Sequence, residues 1–365
     1  MPTFAPMEKP VTSSPKNIRL LELPEITAWF KEKKEPSFRA KQVYEWLWQK
    51  SALSFDDMSN IPKATREVLK TDFVINRFMD VISQKSSDGT IKNAFHLHDN
   101  KRVEGVLIPA EKRMTACISS QVGCSLECKF CATGRLKRER NLGADEIYDE
   151  VVYIQKQTLE TYNTPLTNIV YMGMGEPLLN YNNVMESINK ITSPDGLNFA
   201  AQRITVSTAG VTKMIKKLGD DNVRFNLAIS LHAATDEKRS KIMNINDTNK
   251  LEDLATALKY FYSKTQTKVT YEYIVFKDFN DTMGDAYKLA EFCKIVPCKV
   301  NLIEYNPIDK GEFQQTSPER MGSFVKLLRS RGIIVNTRRS RGKDIDAACG
   351  QLANKLQEGR SPTGN

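Results

Sequence analysis

Four of the seven cysteines in this chain fall within eighteen residues, in Cys117-Ile-Ser-Ser-Gln-Val-Gly-Cys124-Ser-Leu-Glu-Cys128-Lys-Phe-Cys131-Ala-Thr-Gly134. Cys124, Cys128 and Cys131 are spaced Cys-x3-Cys-x2-Cys. Three thiolates so placed can hold three irons of a [4Fe–4S] cluster and leave the fourth iron open to a ligand, where a fourth cysteine would saturate it for electron transfer. A structural zinc with three thiolates and a distant fourth ligand is the competing reading. Against it, the paired Cys-x2-Cys knuckles are missing, no histidine lies nearby, and neither half of the zinc deaminase pattern is present. Spacing favours iron and sulfur without closing the other possibility.

The elements that would position these thiols need a chain of some size. At 365 residues there is room for one large domain and a smaller one. With 40% hydrophobic residues and a mean hydropathy of −0.44 the chain reads as globular. No apolar run approaches the ~20 residues of a membrane span. Residues 1–16 lack the apolar core of a secretory signal and read as disordered, so a cytoplasmic location and no membrane contact are expected. An odd, clustered set of cysteines argues against a secreted disulfide framework. The net charge of +9 and an isoelectric point near 9.0 suit a polyanionic partner, most simply nucleic acid.

Residues 17–76 read as a helical accessory module. Pro36-Ser37 offers a cap to Phe38–Trp48, whose Phe38, Val43, Trp46 and Leu47 can share one face, and Ile61-Pro62 opens another helix through Leu69. Its basic residues suit phosphate contact and a solvated packing domain equally. Over 77–110 the period changes to two, and Thr90–His98 and Arg102–Pro109 flank the turn Asp99-Asn100 as a hairpin extension or linker. Alternation along the second of these strands puts Glu104 on the solvent face.

Residues 111–350 then alternate strands (114–119, 167–172, 203–208, 224–231, 268–276, 299–305, 333–338) with helices (144–161, 182–191, 210–218, 251–263, 282–295, 318–331), and 351–365 form a tail. Repeated βα units imply a parallel sheet clothed by helices, and six or more suggest a closed or nearly closed barrel. No Gly-x-Gly-x2-Gly follows the first strand, as a flat dinucleotide-binding sheet would show. In barrels, site residues gather past the carboxyl ends of the strands. There stand the cysteine loop, Gly173-Met-Gly-Glu-Pro177, Ser207-Thr-Ala-Gly210, Ser230-Leu-His232 and Asn306-Pro307.

With Phe130 before its third cysteine, the loop resembles the radical S-adenosylmethionine (SAM) signature, in which the open iron binds the amino and carboxylate groups of SAM. Gly173–Pro177 resembles the Gly-Gly-Glu-type motif of the same superfamily, which receives the SAM ammonium; glycines let backbone approach, and the amine wants an acceptor. On that resemblance Gly175, Glu176, Ser207, Ser230, Leu231, His232 and Asn306 are SAM contacts. A lone histidine would otherwise be a packed, hydrogen-bonded residue. Over residues 20–357 the chain resembles the RNA adenine C2-methyltransferase family (RlmN). The likeness is carried by Arg102-Val-Glu-Gly-Val-Leu-Ile-Pro, Cys117-Ile-Ser-Ser-Gln-Val-Gly-Cys, Phe130-Cys-Ala-Thr-Gly, Arg140-Asn-Leu, Gly173-Met-Gly-Glu-Pro-Leu-Leu-Asn, Val206-Ser-Thr-Ala-Gly, Ala228-Ile-Ser-Leu-His-Ala, Glu304-Tyr-Asn-Pro and Asp346-Ala-Ala-Cys-Gly-Gln-Leu. It implies a partial (β/α)6 TIM-like radical SAM barrel with a small N-terminal helical domain.

The resemblance also implies a mechanism. Carbon 2 of adenine is not nucleophilic, so the family first methylates a cysteine, matching Cys349, with one SAM; a thiolate suits that displacement. A second SAM, cleaved reductively on the cluster, gives a radical that activates the cysteine-bound methyl for addition to the base. Glu104 matches the family's proton acceptor. Cys117 matches the resolving thiol, which forms a transient disulfide with Cys349 and frees 2-methyladenosine; cytosolic disulfides are usually of this catalytic kind.

The implied partners are 23S ribosomal RNA and transfer RNA, with an electron donor outside the chain and the protein acting as a monomer. The target base must be extruded, since carbon 2 is hidden in a stacked helix. Two basic clusters, Arg135, Lys137, Arg138 and Arg140 after the cysteine loop and Arg338, Arg339, Arg341 and Lys343 before Cys349, are expected to touch phosphate rather than merely face solvent. The alternatives are a C8-adenosine methyltransferase, which shares the paired cysteines, and a non-catalytic zinc-bound RNA-binding protein. Cys293 and Cys298 are expected to be buried structural thiols.

Overall fold

The computed structural model describes residues 15–355, which separate into two compact units, one ending at Arg77 and the other beginning at Phe78. Of the stretch expected to be disordered, residues 1–14 lie outside the described residues, as do 356–365 of the tail. Lys16 is ordered: β1 (Lys16–Asn17) pairs in parallel with residues 73–74.

The first unit holds α1 (Leu23–Glu32), α2 (Phe38–Trp48), α3 (Lys63–Asp72) and β2 (Phe73–Val74). At the start of α1 the Glu22 N–H donates to Glu25 Oε2 at 2.8 Å, satisfying a donor the helix cannot use and placing an acid against its positive end. The Trp29 indole N–H donates to Asp72 Oδ2 at 2.8 Å and its ring meets Phe73 edge-on, which ties α1 to the end of α3. The buried face of α2 differs from the expected one. It consists of Ala40, Val43, Leu47 and Trp48, while Phe38 is 62% exposed and Trp46 half-buried. Phe38 sits two residues before Ala40, hence on the far side of the helix. Ser37 makes no side-chain cap.

The second unit begins with β3 (Asp80–Lys85), β4 (Ile91–His96), β5 (Arg102–Ala110) and β6 (Arg113–Ile118), an antiparallel run. The β4–β5 turn falls at Asp99-Asn100, with Asn100 at φ +63° as such turns favour. A small ribbon of β7 (Gln121–Val122) and β8 (Arg140–Asn141) brackets the cysteine loop. Crossovers follow: α4 (Ala144–Tyr162), β9 (Asn168–Tyr171), α5 (Tyr181–Thr192), β10 (Ile204–Thr208), α6 (Thr212–Asp220), β11 (Asn226–Ser230), α7 (Asp236–Ile242), α8 (Leu251–Thr265), β12 (Val269–Val275), α9 (Met283–Phe292), β13 (Cys298–Glu304), α10 (Pro318–Ser330) and β14 (Ile334–Arg338). The helices bury spaced apolar residues, such as Leu254, Leu258 and Phe261 of α8, each contributing roughly 1.5–3 kcal/mol.

These strands form one sheet, ordered β14-β13-β12-β11-β10-β9-β6-β5-β4-β3, parallel from β14 to β6. It is the partial barrel that the family resemblance implies, rather than the fully closed one that the count of βα units also allows. The second edge of β6, which would have to receive β14, is taken by antiparallel β5. The segment 77–110 is thus part of the barrel sheet from β3 onward, not a linker. Glu104 is fully buried, against the alternation argument, because both faces of β5 are covered. On the outer face α4 packs so closely that a Cβ on Gly105 would lie 2.9 Å from Glu150 Oε2. On the inner face lies a strap formed by residues 339–355.

The strap leaves β14 and crosses to the far side of the open sheet. The Gly342 N–H donates to Asp88 Oδ2 at 2.9 Å, and Ser86 Oγ donates to Asp344 Oδ1 at 2.5 Å, fixing it to the β3–β4 turn. Further on, the Ala132 N–H donates to Gly350 O and Thr133 Oγ1 to Leu352 O, both at 2.7 Å. At its end the Ala353 and Asn354 N–H groups donate to Glu104 Oε2 at 2.8 and 3.1 Å.

Candidate active site

The cysteine loop follows β6 and folds over the carboxyl end of the sheet. Gly123, at φ +76°, must be glycine, since a Cβ there would come within 2.3 Å of Lys137 O. Cys124, Cys128 and Cys131 are half-buried and line one cavity of about 880 Å³, open mouth included. Burial pushes all three thiols up, Cys124 to about 11, and mutual repulsion adds to this at Cys124 and Cys128. Crowded thiols of this sort ionise when a cationic group binds them. Among the described residues no three His, Cys, Asp or Glu side chains close into a single-ion cage. A cubane asks for the looser triangle, because each thiolate binds a different iron.

The same cavity is lined by Gly175, Glu176, Ser207, Ser230 and His232 from the ends of neighbouring strands. Ser207 and Ser230 bring their hydroxyls 3.5 Å apart across β10 and β11. Glu176 is buried, which pushes its carboxyl up, while Ala209 N–H at 2.7 Å and Leu178 N–H at 3.0 Å hold its oxygens. Burial holds the His232 imidazole down at about 3, and Arg239 adds to that. His232 Nδ1 accepts the Ile274 N–H at 3.1 Å, so the neutral ring carries its proton on Nε2. Phe130 stacks edge-on against it at 4.7 Å. The other two expected SAM contacts, Leu231 and Asn306, are held by neighbouring protein groups. Leu231 is fully buried, its carbonyl taken by Arg239 Nε at 3.2 Å, and Asn306 Nδ2 donates to Cys349 O at 3.2 Å, supporting the strap.

Cys349 joins Cys124, Cys128 and Cys131 on the cavity wall. Protein atoms crowd it, and this burial raises its thiol while Arg338 pulls the other way; even so it keeps solvent-accessible surface within the cavity. Cys117, on β6, is buried, and its thiol is pushed up first by burial and then by the nearby charge of Cys349, with Arg338 opposing. Arg338 Nη1 lies 3.4 Å from Glu272 Oε2, and Asn301 Nδ2 donates to Glu272 Oε1 at 2.8 Å. Neither Glu104 nor Cys117 lines the cavity; both lie on the inner face of the sheet, with the end of the strap bonded to Glu104.

Residues 16–75 match the family model described as "Ribosomal RNA large subunit methyltransferase N-terminal domain", and 118–290 match the Radical SAM superfamily. A protein of Christiangramia forsetii, named "Probable dual-specificity RNA methyltransferase RlmN", is 60% identical over 340 residues, covering 93% of this chain and 97% of its own. The chain belongs to the RlmN family. A Salinibacter ruber protein of the same name is 46% identical over 88% of this chain and 90% of its own. The crystal structure of a radical SAM methyltransferase from Sphaerobacter thermophilus superposes with a TM-score of 0.87 at 38% identity, covering 93% of this chain and 99% of that one. Membership of the RlmN family makes this protein a SAM-dependent radical SAM enzyme carrying an iron–sulfur cluster.

The basic residues of this RlmN-family chain divide into two groups. Arg140 is not available to phosphate: its guanidinium binds Asp99 at 2.6 and 3.0 Å and Glu146 at 2.6 and 2.8 Å. Arg338 sits in the cavity. Arg135 donates to the carbonyls of Asp309 and Lys310, Arg341 to that of Asp88, and Lys343 pairs with Glu304 at 3.0 Å. Lys137, Arg138 and Arg339 are exposed, and Arg135, Lys137 and Arg138 line a second cleft beside the cysteine loop. Cys293 is buried and Cys298 half-buried, its Sγ donating to Cys293 O at 3.4 Å. No helix among the described residues is long and apolar enough to cross a membrane.

Sequence reading missed Arg239, Glu272 and Lys92. Arg239 is fully buried on α7, donating to Leu231 O, to Ala209 O at 2.5 Å and to Asn246 Oδ1 at 2.8 Å. Its seven-residue helix, Asp-Glu-Lys-Arg-Ser-Lys-Ile, reads as a charged surface turn. Glu272 could have been found as a lone acid in an otherwise apolar strand.

Proposed function

We propose that this protein methylates carbon 2 of adenosine in large-subunit ribosomal RNA and in transfer RNA, spending two SAM per turnover through a methyl group carried on Cys349. What supports this above all is the placing of Cys349 in one cavity with the three cluster cysteines, next to Arg338 and within charge range of Cys117. The dual specificity follows the names of the relatives.

Cys124, Cys128 and Cys131 hold the cluster, which when bound supplies the electron that cleaves SAM. Gly175 and Glu176 receive the SAM ammonium, and Ser207, Ser230 and the His232 Nε2–H offer donors to its carboxylate and ribose. Cys349 takes the first methyl as a nucleophile, beside the Arg338 cation that favours its thiolate. The second SAM, once cleaved, takes one hydrogen atom from the Cys349 methyl as 5′-deoxyadenosine, and the methylene carbon bonds to carbon 2 of the base. The adduct's odd electron passes back to the bound cluster, and Glu104 takes the carbon 2 proton. Cys117 Sγ then bonds to Cys349 Sγ; the bond from Cys349 to the methyl carbon breaks, its electron pair is protonated, and an external thiol later reduces the disulfide. Lys137, Arg138 and Arg339 contact phosphate. The enzyme works as a monomer in the cytoplasm with an external electron donor.

The test uses the reconstituted enzyme under anaerobic conditions with both RNAs. Digests of wild-type reactions should contain 2-methyladenosine, and Cys117→Ala should come away with RNA covalently held on Cys349. A product of 8-methyladenosine, or a Cys117→Ala protein free of RNA under conditions where wild type turns over, would overturn the reading.

A further inference from the structure

Lys92 is a buried cation with no task in the chemistry above. Its side chain is 3% exposed, and an ammonium tolerates such burial only when paired and hydrogen-bonded. On β4 it lies opposite Val106 of β5, which lies opposite Cys117 of β6. Residues directly opposite share a face, so Lys92, Val106 and Cys117 form one row on the inner face of the sheet. Glu104, two residues from Val106, stands on the same face. Lys92 Nζ is 3.7 Å from Glu104 Oε1 and donates at 3.4 Å to the carbonyl of Asp346. Asp346 is on the strap, three residues before Cys349.

The two oxygens of Glu104 are unlike. Oε2 accepts the Ala353 and Asn354 N–H groups. Among the described residues the buried Oε1 has no hydrogen-bond partner, and it meets the Lys92 ammonium beyond hydrogen-bond length. A pair kept only for packing would close that gap, because a buried acceptor without a donor is destabilising. Oε1 thus keeps a lone pair open on the face shared with Cys117, beneath the strap.

We propose that Lys92 is a positioning residue that registers the strap carrying Cys349 against Glu104, and that Glu104 Oε1 is the oxygen that takes the proton from carbon 2 of the target adenine. The inference rests on the function proposed above. In the step concerned the carbon 2–hydrogen bond of the covalent adduct breaks, the proton passes to Oε1, and the electron pair stays in the adduct. Lys92 holds both partners at once, one through charge and the other through the Asp346 carbonyl.

The test follows three products in the full-chain reconstituted enzyme: methylated Cys349 formed from SAM without RNA, covalent protein–RNA adduct, and 2-methyladenosine. Lys92→Met should methylate Cys349 as wild type does, yet make 2-methyladenosine about 100-fold more slowly, the order of loss a small misplacement can cause. Adduct should accumulate in both Lys92→Met and Glu104→Gln, and Lys92→Arg should recover most of the product. A wild-type product rate in Lys92→Met, or equal losses in Cys349 methylation and product, would overturn the role. Should Lys92→Met fail to fold, the double variant Lys92→Met with Glu104→Gln removes both charges. It should match Glu104→Gln alone, and a further drop would show that Lys92 acts elsewhere. If Glu104→Gln turns over at the wild-type rate, Glu104 is not the acceptor and the proposal falls with that assignment. Failure of Lys92 alone leaves the proposed function standing.

Discussion

At the scale of single residues, the site is set by what each side chain is denied. His232 is sealed beneath Phe130 and meets an N–H at Nδ1, so its imidazole stays neutral well below the usual histidine range. The sign of the consequence follows. Between about 3 and 6.5 the unfolded chain binds a proton at this residue that the folded chain does not, so stability rises with pH there and is lost as pH falls. The loss is on the order of a few kcal/mol over that window. His232→Gln has no such proton, so its stability deficit relative to wild type should shrink as pH falls from 6.5 toward 4, read by urea denaturation at each pH. A deficit independent of pH would show that the imidazole titrates normally in the folded protein.

At the scale of elements, α7 and the strap are the parts that carry most and were hardest to foresee. Arg239 of α7 ties the end of β10, through Ala209 O, to the end of β11, through Leu231 O. Arg239→Met should leave those carbonyls and Asn246 Oδ1 buried without their donor, costing about 3–5 kcal/mol. It should also weaken SAM binding, since Ser207, Ser230 and His232 sit on the two loosened ends. Thermal unfolding and SAM titration of the reconstituted protein check both, and retained SAM affinity despite the lost stability would confine Arg239 to packing. The parallel strands and their crossover helices were legible because each apolar run is bounded by turn residues and keeps a clear period. Glu104 and Arg140 were not. A strand with both faces covered hides its site acid among apolar neighbours, and an arginine spent on Asp99 and Glu146 looks, in sequence, like one waiting for phosphate. The gathering of Cys124, Cys128 and Cys131 on one wall was legible because their spacing is local. The cover over Glu104 was not, because the strap arrives from some 250 residues downstream.

At the scale of the whole molecule, the chain carries a net charge of +9, and the proposed function puts its exposed Lys137, Arg138 and Arg339 against RNA phosphate. Each phosphate contact steepens the salt dependence of affinity by about 0.7–0.9 in log–log slope. Lys137→Ala and Arg339→Ala should each lower that slope by this amount and leave stability unchanged. Arg140→Ala should leave the slope alone and cost about 1–3 kcal/mol of stability. A salt series of RNA-binding measurements beside thermal unfolding separates the two classes, and a reduced slope in Arg140→Ala would put that residue back on the RNA. The strap has a further consequence, in the order of synthesis. Cys117 and the cluster cysteines leave the ribosome more than two hundred residues ahead of Cys349. At about 5–20 residues per second that is roughly 10–50 s of translation. During this interval the growing chain has Cys117, Cys124, Cys128 and Cys131 but not Cys349, and the strap that covers Glu104 is not yet made. On the proposed function, a product truncated after β14 would keep the three cysteines that hold the cluster but lack both the thiol that accepts a methyl group and the methyl that yields a hydrogen atom.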